Sequence, residues 1–129
     1  MAKAVLLDTC ALLWLGGAPE RLSSSTRRRI EAADFVYASP ISLWEVTFKC
    51  EIGKLQLATP PEEWFEILKE DFGVAVLPLT ETIAAKAARL PLHHRDPADR
   101  FIIASALVHR LPVVTGDRRF PLYGVDTLQ

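Results

Sequence analysis

The chain has 129 residues, of which 50% are hydrophobic and 24% charged, with a formal net charge of −1 at pH 7. This composition excludes a disordered protein, and the length favours one domain over residues 1–129. No apolar run reaches the roughly 18 residues that span a membrane, and an acid within the first apolar segment argues against a signal peptide, so we expect a cytoplasmic protein without membrane contact.

Short apolar runs alternate with helical patterns along the chain. The predicted strands are residues 4–7, 35–38, 74–77 and 113–115, with an edge strand at 125–127. The predicted helices are residues 12–15, ending at Gly16-Gly17, and residues 23–33, 40–52, 62–71, 80–89 and 97–110. Strands that alternate with helices predict an α/β fold, in which helices cover a mainly parallel sheet.

Two of the predicted strands are followed by an aspartate. Asp8 comes directly after the first strand, and Asp117 lies two residues beyond Thr115 in the fourth. Because ligands of open parallel sheets bind outside the carboxyl ends of the strands, we expect both carboxylates at that edge. The alternatives are a helix N-cap for Asp8 and an ordinary turn aspartate at position 117.

A third acid lies in the predicted helix 40–52. Glu45 is the only charged residue between positions 40 and 48. The helical spacing of the apolar residues predicts a buried stripe made of Ile41, Trp44, Phe48 and Ile52. Glu45 is therefore a candidate site residue, and the alternative is an ion pair with Lys49 four residues later.

Two acids open the apolar helix 97–110. Asp96 precedes Pro97, which is the arrangement of an N-cap followed by proline at the first helical position. Asp99 then falls in the first turn, beside the apolar residues 101–108. It is a fourth candidate site residue, although it could merely favour the helix dipole.

The four acids predict a metal site. Carboxylates that are brought together repel one another unless a cation neutralises them. Hard oxygen ligands suit Mg²⁺ or Mn²⁺, which can activate a water and stabilise the leaving oxygen in phosphodiester cleavage. The candidate ligands and catalytic residues are Asp8, Glu45, Asp99 and Asp117.

A nucleic-acid substrate has to be reconciled with the net charge. Setting aside the four candidate acids leaves 12 acidic against 15 basic residues, so the remaining surface is basic. Arg118 and Arg119 directly follow Asp117 and are candidate phosphate contacts. We interpret His93 and His94 as loop residues beside the site, with general acid–base catalysis as the alternative.

Four motifs resemble the PIN-domain family and, within it, the VapC-type toxins of bacterial toxin–antitoxin pairs. They are "LLDTCALLW" at 6–14, "ISLWEV" at 41–46, "HRDPADRFIIASA" at 94–106 and "VVTGD" at 113–117. The resemblance implies a single PIN-like domain with a three-layer α/β/α fold and a mainly parallel sheet. It also implies a Mg²⁺- or Mn²⁺-dependent endoribonuclease that leaves a 5′-phosphate and a 3′-hydroxyl. By motif position, the four acids are its catalytic and metal residues, with Thr9, Thr115 and Asp96 in supporting positions.

The resemblance further implies RNA as the substrate and a cognate VapB-like antitoxin, and we also expect a homodimer. The helix 40–52 is apolar on more than one side and could form a wall for such a partner. Two other functions remain open. A phosphatase-like enzyme with Asp8 as nucleophile would need a second acid where Cys10 stands. A non-catalytic PIN-like module could instead hold a partner's basic segment in its acidic pocket.

Overall fold

Five parallel strands form the central sheet of the computed structural model, which describes residues 3–129. The strands are β1 (Ala4–Leu7), β2 (Phe35–Ala38), β3 (Val74–Val76), β4 (Val113–Val114) and β5 (Thr127–Leu128), in the order β3-β2-β1-β4-β5. β1 is central, since Leu6 pairs with Tyr37 of β2 on one side and with Val113 of β4 on the other. The predicted parallel sheet is confirmed, although the edge strand lies later than residues 125–127.

Six helices surround this sheet within residues 3–129. They are α1 (Thr9–Gly17), α2 (Ser24–Ala32), α3 (Pro40–Glu51), α4 (Pro61–Asp71), α5 (Glu81–Arg89) and α6 (Pro97–His109), with 3₁₀ turns at Pro19–Arg21 and Phe120–Tyr123. Side chains cap several of their N-termini: Ser23 accepts from the Thr26 N–H, and Thr80 from the Ile83 N–H. No helix within residues 3–129 combines the length and apolar character that crossing a membrane requires.

Helix α1 is longer than the sequence predicted. It begins at Thr9, because Asp8 has an extended backbone and its Oδ1 accepts a hydrogen bond from the Ala11 N–H at 2.8 Å. It also includes the two glycines that were expected to end it. A Cβ at Gly16 would lie 3.3 Å from Leu68 Cδ2 of α4, so this glycine allows the two helices to pack closely.

Alternate residues of β1 face two separate cores. Val5 and Leu7 contact the cluster that includes Leu12 of α1 and Trp64 of α4. Leu6 faces the opposite cluster, which is built largely from α5 and α6. Because successive side chains of a strand point to opposite faces, this central strand is buried on both sides. The predicted three-layer α/β/α architecture is confirmed.

The predicted buried stripe of α3 is wrong. Trp44 is 55% exposed, and Phe48 and Ile52 are each 49% exposed, while Ile41 is partly buried. The buried residues of this helix are Ser42, Glu45 and Val46. Ser42 shares a hydrogen bond of 2.9 Å with the Thr9 hydroxyl, which turns the polar side of α3 towards the sheet edge. The rings of Trp44 and Phe48 therefore stack on the outside, 5.5 Å apart.

Candidate active site

An acidic cleft of about 520 Å³ opens at the carboxyl ends of β1 and β4. β1 and β4 are neighbours in the sheet. The strand after β1 in the chain, β2, lies on one side of this pair, and the strand after β4, β5, lies on the other. The strand order therefore reverses between β1 and β4. The lining residues are Asp8, Thr9, Cys10, Trp14, Glu45, Lys49, Asp96, Asp99, Gly116, Asp117, Arg118 and Arg119. The structure thus brings together all four candidate acids, Thr9, Asp96 and both candidate phosphate contacts.

Thr115 lies beneath the cleft and contacts two of its acids. The side chain is buried, and its hydroxyl accepts a hydrogen bond from the Asp117 N–H at 3.0 Å. The Thr115 side chain also lies close enough to the Asp8 carboxyl to lower its pKa. Because Thr115 directly follows β4, it ties the ends of the two strands together and fixes the positions of their acids.

Asp8 is buried in the cleft while it caps α1. Burial raises the pKa of its carboxyl above the usual value, since desolvation disfavours the charged form, and the nearby Glu45 and Asp117 raise it further. Hydrogen bonds from Thr115 and the Ala11 N–H act in the opposite direction. The two interpretations of Asp8 are therefore compatible, because the cap uses Oδ1 and the carboxylate still lines the cleft.

Glu45 has one satisfied and one unsatisfied oxygen. Its Oε2 accepts a hydrogen bond from Lys49 Nζ at 2.8 Å, so the alternative ion pair exists. The other oxygen, Oε1, is buried and has no hydrogen-bond partner within residues 3–129. A buried carboxylate oxygen without a partner is costly, and this one lies in the wall of an acidic cleft. It is available to a cation or to a water.

Asp99 has the most strongly raised pKa among the acids of the cleft. Burial, followed by the charges of Asp96, Glu45, Asp8 and Asp117, raises the pKa of its carboxyl to about 7. Asp96 itself caps α6, as predicted, by accepting a hydrogen bond from the Ala98 N–H at 3.0 Å. A carboxyl in such surroundings keeps its proton near neutral pH unless a cation takes the place of that proton.

Asp117 differs because it has an arginine partner. The Arg119 guanidinium binds it through both oxygens, at 3.0 Å from Nε to Oδ1 and 2.8 Å from Nη2 to Oδ2. This pairing, with smaller contributions that include His94, holds the pKa of Asp117 well below its usual range. Arg119 therefore contacts an acid of the cleft, while Arg118 beside it is exposed.

His94 contacts two acids of the cleft, and sequence reasoning left it out of the site. It was placed in a loop beside the acids, but the structure buries its side chain to 1% exposure. Its Nε2 lies 2.9 Å from Asp117 Oδ2 and 3.0 Å from Asp99 Oδ2. The only sequence signal is a histidine two residues before the N-cap of α6, which does not reveal that the ring turns inward.

These residues fit a divalent cation. The ligand atoms of His94, Asp99 and Asp117 all lie within 4.8 Å of one another. The donors are mainly carboxylate oxygens, which Mg²⁺ and Mn²⁺ prefer. Glu45 Oε1 has no hydrogen-bond partner, and Asp8 forms no ion pair with a lysine or arginine within residues 3–129. The chemistry of the donor set and the orphaned oxygen both match what a bound cation would satisfy.

The comparisons with known proteins agree with this architecture. The chain matches the PIN domain family over residues 5–125 and therefore belongs to that family. Ribonuclease VapC22 of Mycobacterium tuberculosis is 39% identical over 116 residues, which are 89% of this chain and 88% of that protein. The resemblance to PIN domains and to VapC-type toxins is confirmed.

Two solved structures share the fold. The DNA-bound VapBC of Salmonella typhimurium superposes with a TM-score of 0.71 and 22% identity, over 98% of this chain and 97% of that chain. VapBC2 of Rickettsia felis, bound to a DNA fragment from its promoter, gives a TM-score of 0.71 with 11% identity over 96% of both chains. The three-layer arrangement is thus shared despite low sequence identity.

Proposed function

We propose that this chain is a Mg²⁺- or Mn²⁺-dependent endoribonuclease that acts in the cytoplasm as the toxin of a toxin–antitoxin pair. The observation that carries this proposal is the convergence of four carboxylates at the edge of the sheet. Arginine or lysine pairs with only two of them, Asp117 and Glu45, within residues 3–129. The similarity to Ribonuclease VapC22 supports RNA as the substrate.

The acids take different parts in the proposed reaction. Asp8 and Asp99 hold the cation, since burial makes their charge costly until a cation balances it. Asp117 completes the site, and Glu45 Oε1 orients a water or accepts its proton. Thr115, which lies beneath the acids, holds Asp8 and Asp117 in position relative to each other. A divalent cation held here would polarise a water for in-line attack and stabilise the leaving oxygen.

The substrate contacts follow from the residues around the acids. Arg118 is exposed on the wall of the cleft and is the better placed phosphate contact. Arg119 can bind a phosphate only after it releases Asp117. We therefore propose it as a second phosphate contact that competes with this ion pair. Trp14 lines the same cleft and offers a face on which a base can stack. Cleavage in this arrangement leaves a 5′-phosphate and a 3′-hydroxyl.

The partners we propose are a VapB-like antitoxin and a second copy of this chain. The solved structures with the same fold are VapBC complexes. On this chain, Trp44, Phe48 and Ile52 form an exposed apolar surface on α3, which we call the α3 surface. A surface of this kind is covered in many complexes, and Glu45, which lines the cleft, lies next to it on α3. An arginine of the antitoxin could pair with Glu45 or Asp117 without any metal.

The proposal is tested by incubating purified protein with total RNA in Mg²⁺ or in EDTA and mapping the new ends. We expect cleavage only with the cation, at a limited set of sites, and no hydrolysis of a chromogenic phosphate monoester. Hydrolysis of the monoester would favour a phosphatase. A protein that cleaves neither substrate but binds a basic peptide through the cleft would be a binding module instead.

A further inference from the structure

His94 lies between two of the proposed metal-site carboxylates, and the proposed function gives it no role. Its Nε2 is 2.9 Å from Asp117 Oδ2 and 3.0 Å from Asp99 Oδ2. The ring is buried and packs edge-on against Phe120, with the ring centres 6.0 Å apart. Packing of this kind limits rotation of the ring, so that Nε2 stays directed at the two acids.

The hydrogen bonds of the ring define which nitrogen carries the proton. The Asp96 N–H donates to His94 Nδ1 at 3.2 Å. A ring nitrogen that accepts a hydrogen bond carries no proton, so in this network the ring proton lies on Nε2. The protonated Nε2 then donates to Asp117 Oδ2. This assignment follows from the hydrogen-bond network, and it leaves Nε2 without a lone pair for a cation.

The backbone of His94 is held from two other elements. Its N–H donates to Tyr123 Oη at 2.7 Å, and its carbonyl accepts from Arg100 Nη1 at 3.0 Å. The position of the ring is therefore fixed by α6 and by the 3₁₀ turn after β4, the elements closest to Asp99 and Asp117. A hydrogen-bond donor placed in this way orients the carboxylates beside it.

We propose that His94 is a positioning residue of this site, whose Nε2 orients the Asp117 carboxylate beside Asp99 for cation binding. The inference rests on the proposed function for the cation and adds a residue to which no role was assigned. Partners of metal-ligating groups typically contribute about 10- to 100-fold to metal affinity. We expect His94 to contribute on the same scale.

The first test reads the protonation of the ring directly in the wild-type protein. Long-range ¹H–¹⁵N NMR spectra distinguish a protonated ring nitrogen from an unprotonated one. We expect His94 to carry a proton on Nε2 in EDTA and to keep this proton at saturating Mg²⁺. Loss of the proton from Nε2 in either condition would overturn the proposal, because Nε2 would then be free to bind the cation itself.

The second test measures Mg²⁺ affinity by calorimetry in two variants and a control. His94→Phe keeps a planar ring without either hydrogen bond and should weaken Mg²⁺ binding by about 10- to 100-fold. His94→Gln keeps an N–H donor near the position of Nε2 and should recover most of that loss. His109→Asn, at the exposed far end of α6, should bind Mg²⁺ as the wild type does.

Two results separate this inference from the proposed function. Wild-type Mg²⁺ affinity in a folded His94→Phe variant would overturn the role of His94 while leaving the nuclease proposal in place. Normal Mg²⁺ binding by a wild-type protein that cleaves no RNA would overturn the nuclease proposal alone. A wild-type protein that binds neither Mg²⁺ nor Mn²⁺ would contradict both proposals.

Discussion

At the scale of single residues, Asp8 shows how one carboxylate can cap a helix and still weaken the fold. Its burial and the neighbouring acids raise its pKa, so its charge destabilises the metal-free protein. Asn caps a helix as well as Asp does. We therefore predict that Asp8→Asn melts higher than the wild type in EDTA, and that Mg²⁺ raises the melting temperature of the wild type alone. A lower melting temperature of the variant in EDTA would mean that Asp8 is needed mainly as a cap.

Asp99 predicts a pH dependence of stability in the absence of metal. Its pKa is about 7 in the folded protein, against 3.8 as the usual value for the unfolded chain. Below pH 3.8 both states hold the proton, and above it the unfolded chain releases the proton first. The free energy of unfolding contributed by this group therefore decreases as the pH rises from about 4 to about 7. The lowered pKa of Asp117 acts only at more acidic pH.

The check is urea unfolding in EDTA across that pH range, with the wild type and Asp99→Asn compared at each pH. We expect the stability of the wild type to fall relative to the variant as the pH rises, because the amide does not titrate. Parallel curves for the two proteins would show that Asp99 ionises normally in the folded state.

At the scale of elements, a buried arginine fixes the segment that leads into α6. Arg100 is 9% exposed, and its Nη2 donates to the carbonyls of Ala87 and Leu90 at 2.8 and 2.7 Å. Its Nη1 donates to the carbonyls of Pro91 and His94, both at 3.0 Å. One guanidinium thus satisfies the end of α5 and the loop that carries His94.

We predict that Arg100→Met lowers the free energy of unfolding by about 2–4 kcal/mol, because buried carbonyls lose their donors. Arg100→Lys should not restore the stability, since one ammonium cannot reproduce the planar set of donors. Urea denaturation measures both, with Arg95→Met, an exposed arginine of the same loop, as the matched control. Wild-type stability in Arg100→Lys would refute this account of the loop.

The α3 surface carries a prediction about assembly. Trp44 is exposed, so Trp44→Glu should not unfold the chain, but a buried carboxylate at an interface is costly. We expect this variant to shift the protein from dimer to monomer in analytical ultracentrifugation. Leu122→Glu, at another exposed apolar residue, should leave the dimer intact. Equal masses for Trp44→Glu and the wild type would place the interface elsewhere.

At the scale of the whole molecule, the sequence predicted best those features for which a local sequence pattern is compatible with a single local structure. The apolar runs before Asp8 and Asp117 predicted parallel strands, and strand ends at one edge predicted where both acids meet. Asp96 was predicted as a cap because an acid before proline at the start of a helix has a specific local function. Local rules of this kind operate within a few residues, so they can be read without the fold.

The failures concern choices that depend on distant residues. The apolar stripe through Trp44 had helical spacing, but Ser42 and Glu45 face the sheet edge, and nothing within α3 specifies which side is covered. His94 and Arg100 lie in a motif that was recognised, yet their contacts come from the end of α5 and from Asp117. These contacts arise only when the elements pack, and for this reason periodicity and capping rules did not predict them.

The central claim is that the acids of the cleft form one cation site that supports RNA cleavage, and the most direct measurement compares cleavage with cation binding. Cleavage of one RNA is followed against Mg²⁺ concentration for the wild type, Asp99→Asn and Asp96→Asn, beside calorimetric Mg²⁺ affinities. We predict that half-maximal cleavage of the wild type coincides with its Mg²⁺ dissociation constant. Asp99→Asn should lose at least about 100-fold in both, while Asp96→Asn, which still caps α6, should keep most of both. Full cleavage in EDTA, or undiminished cleavage by Asp99→Asn, would contradict the account.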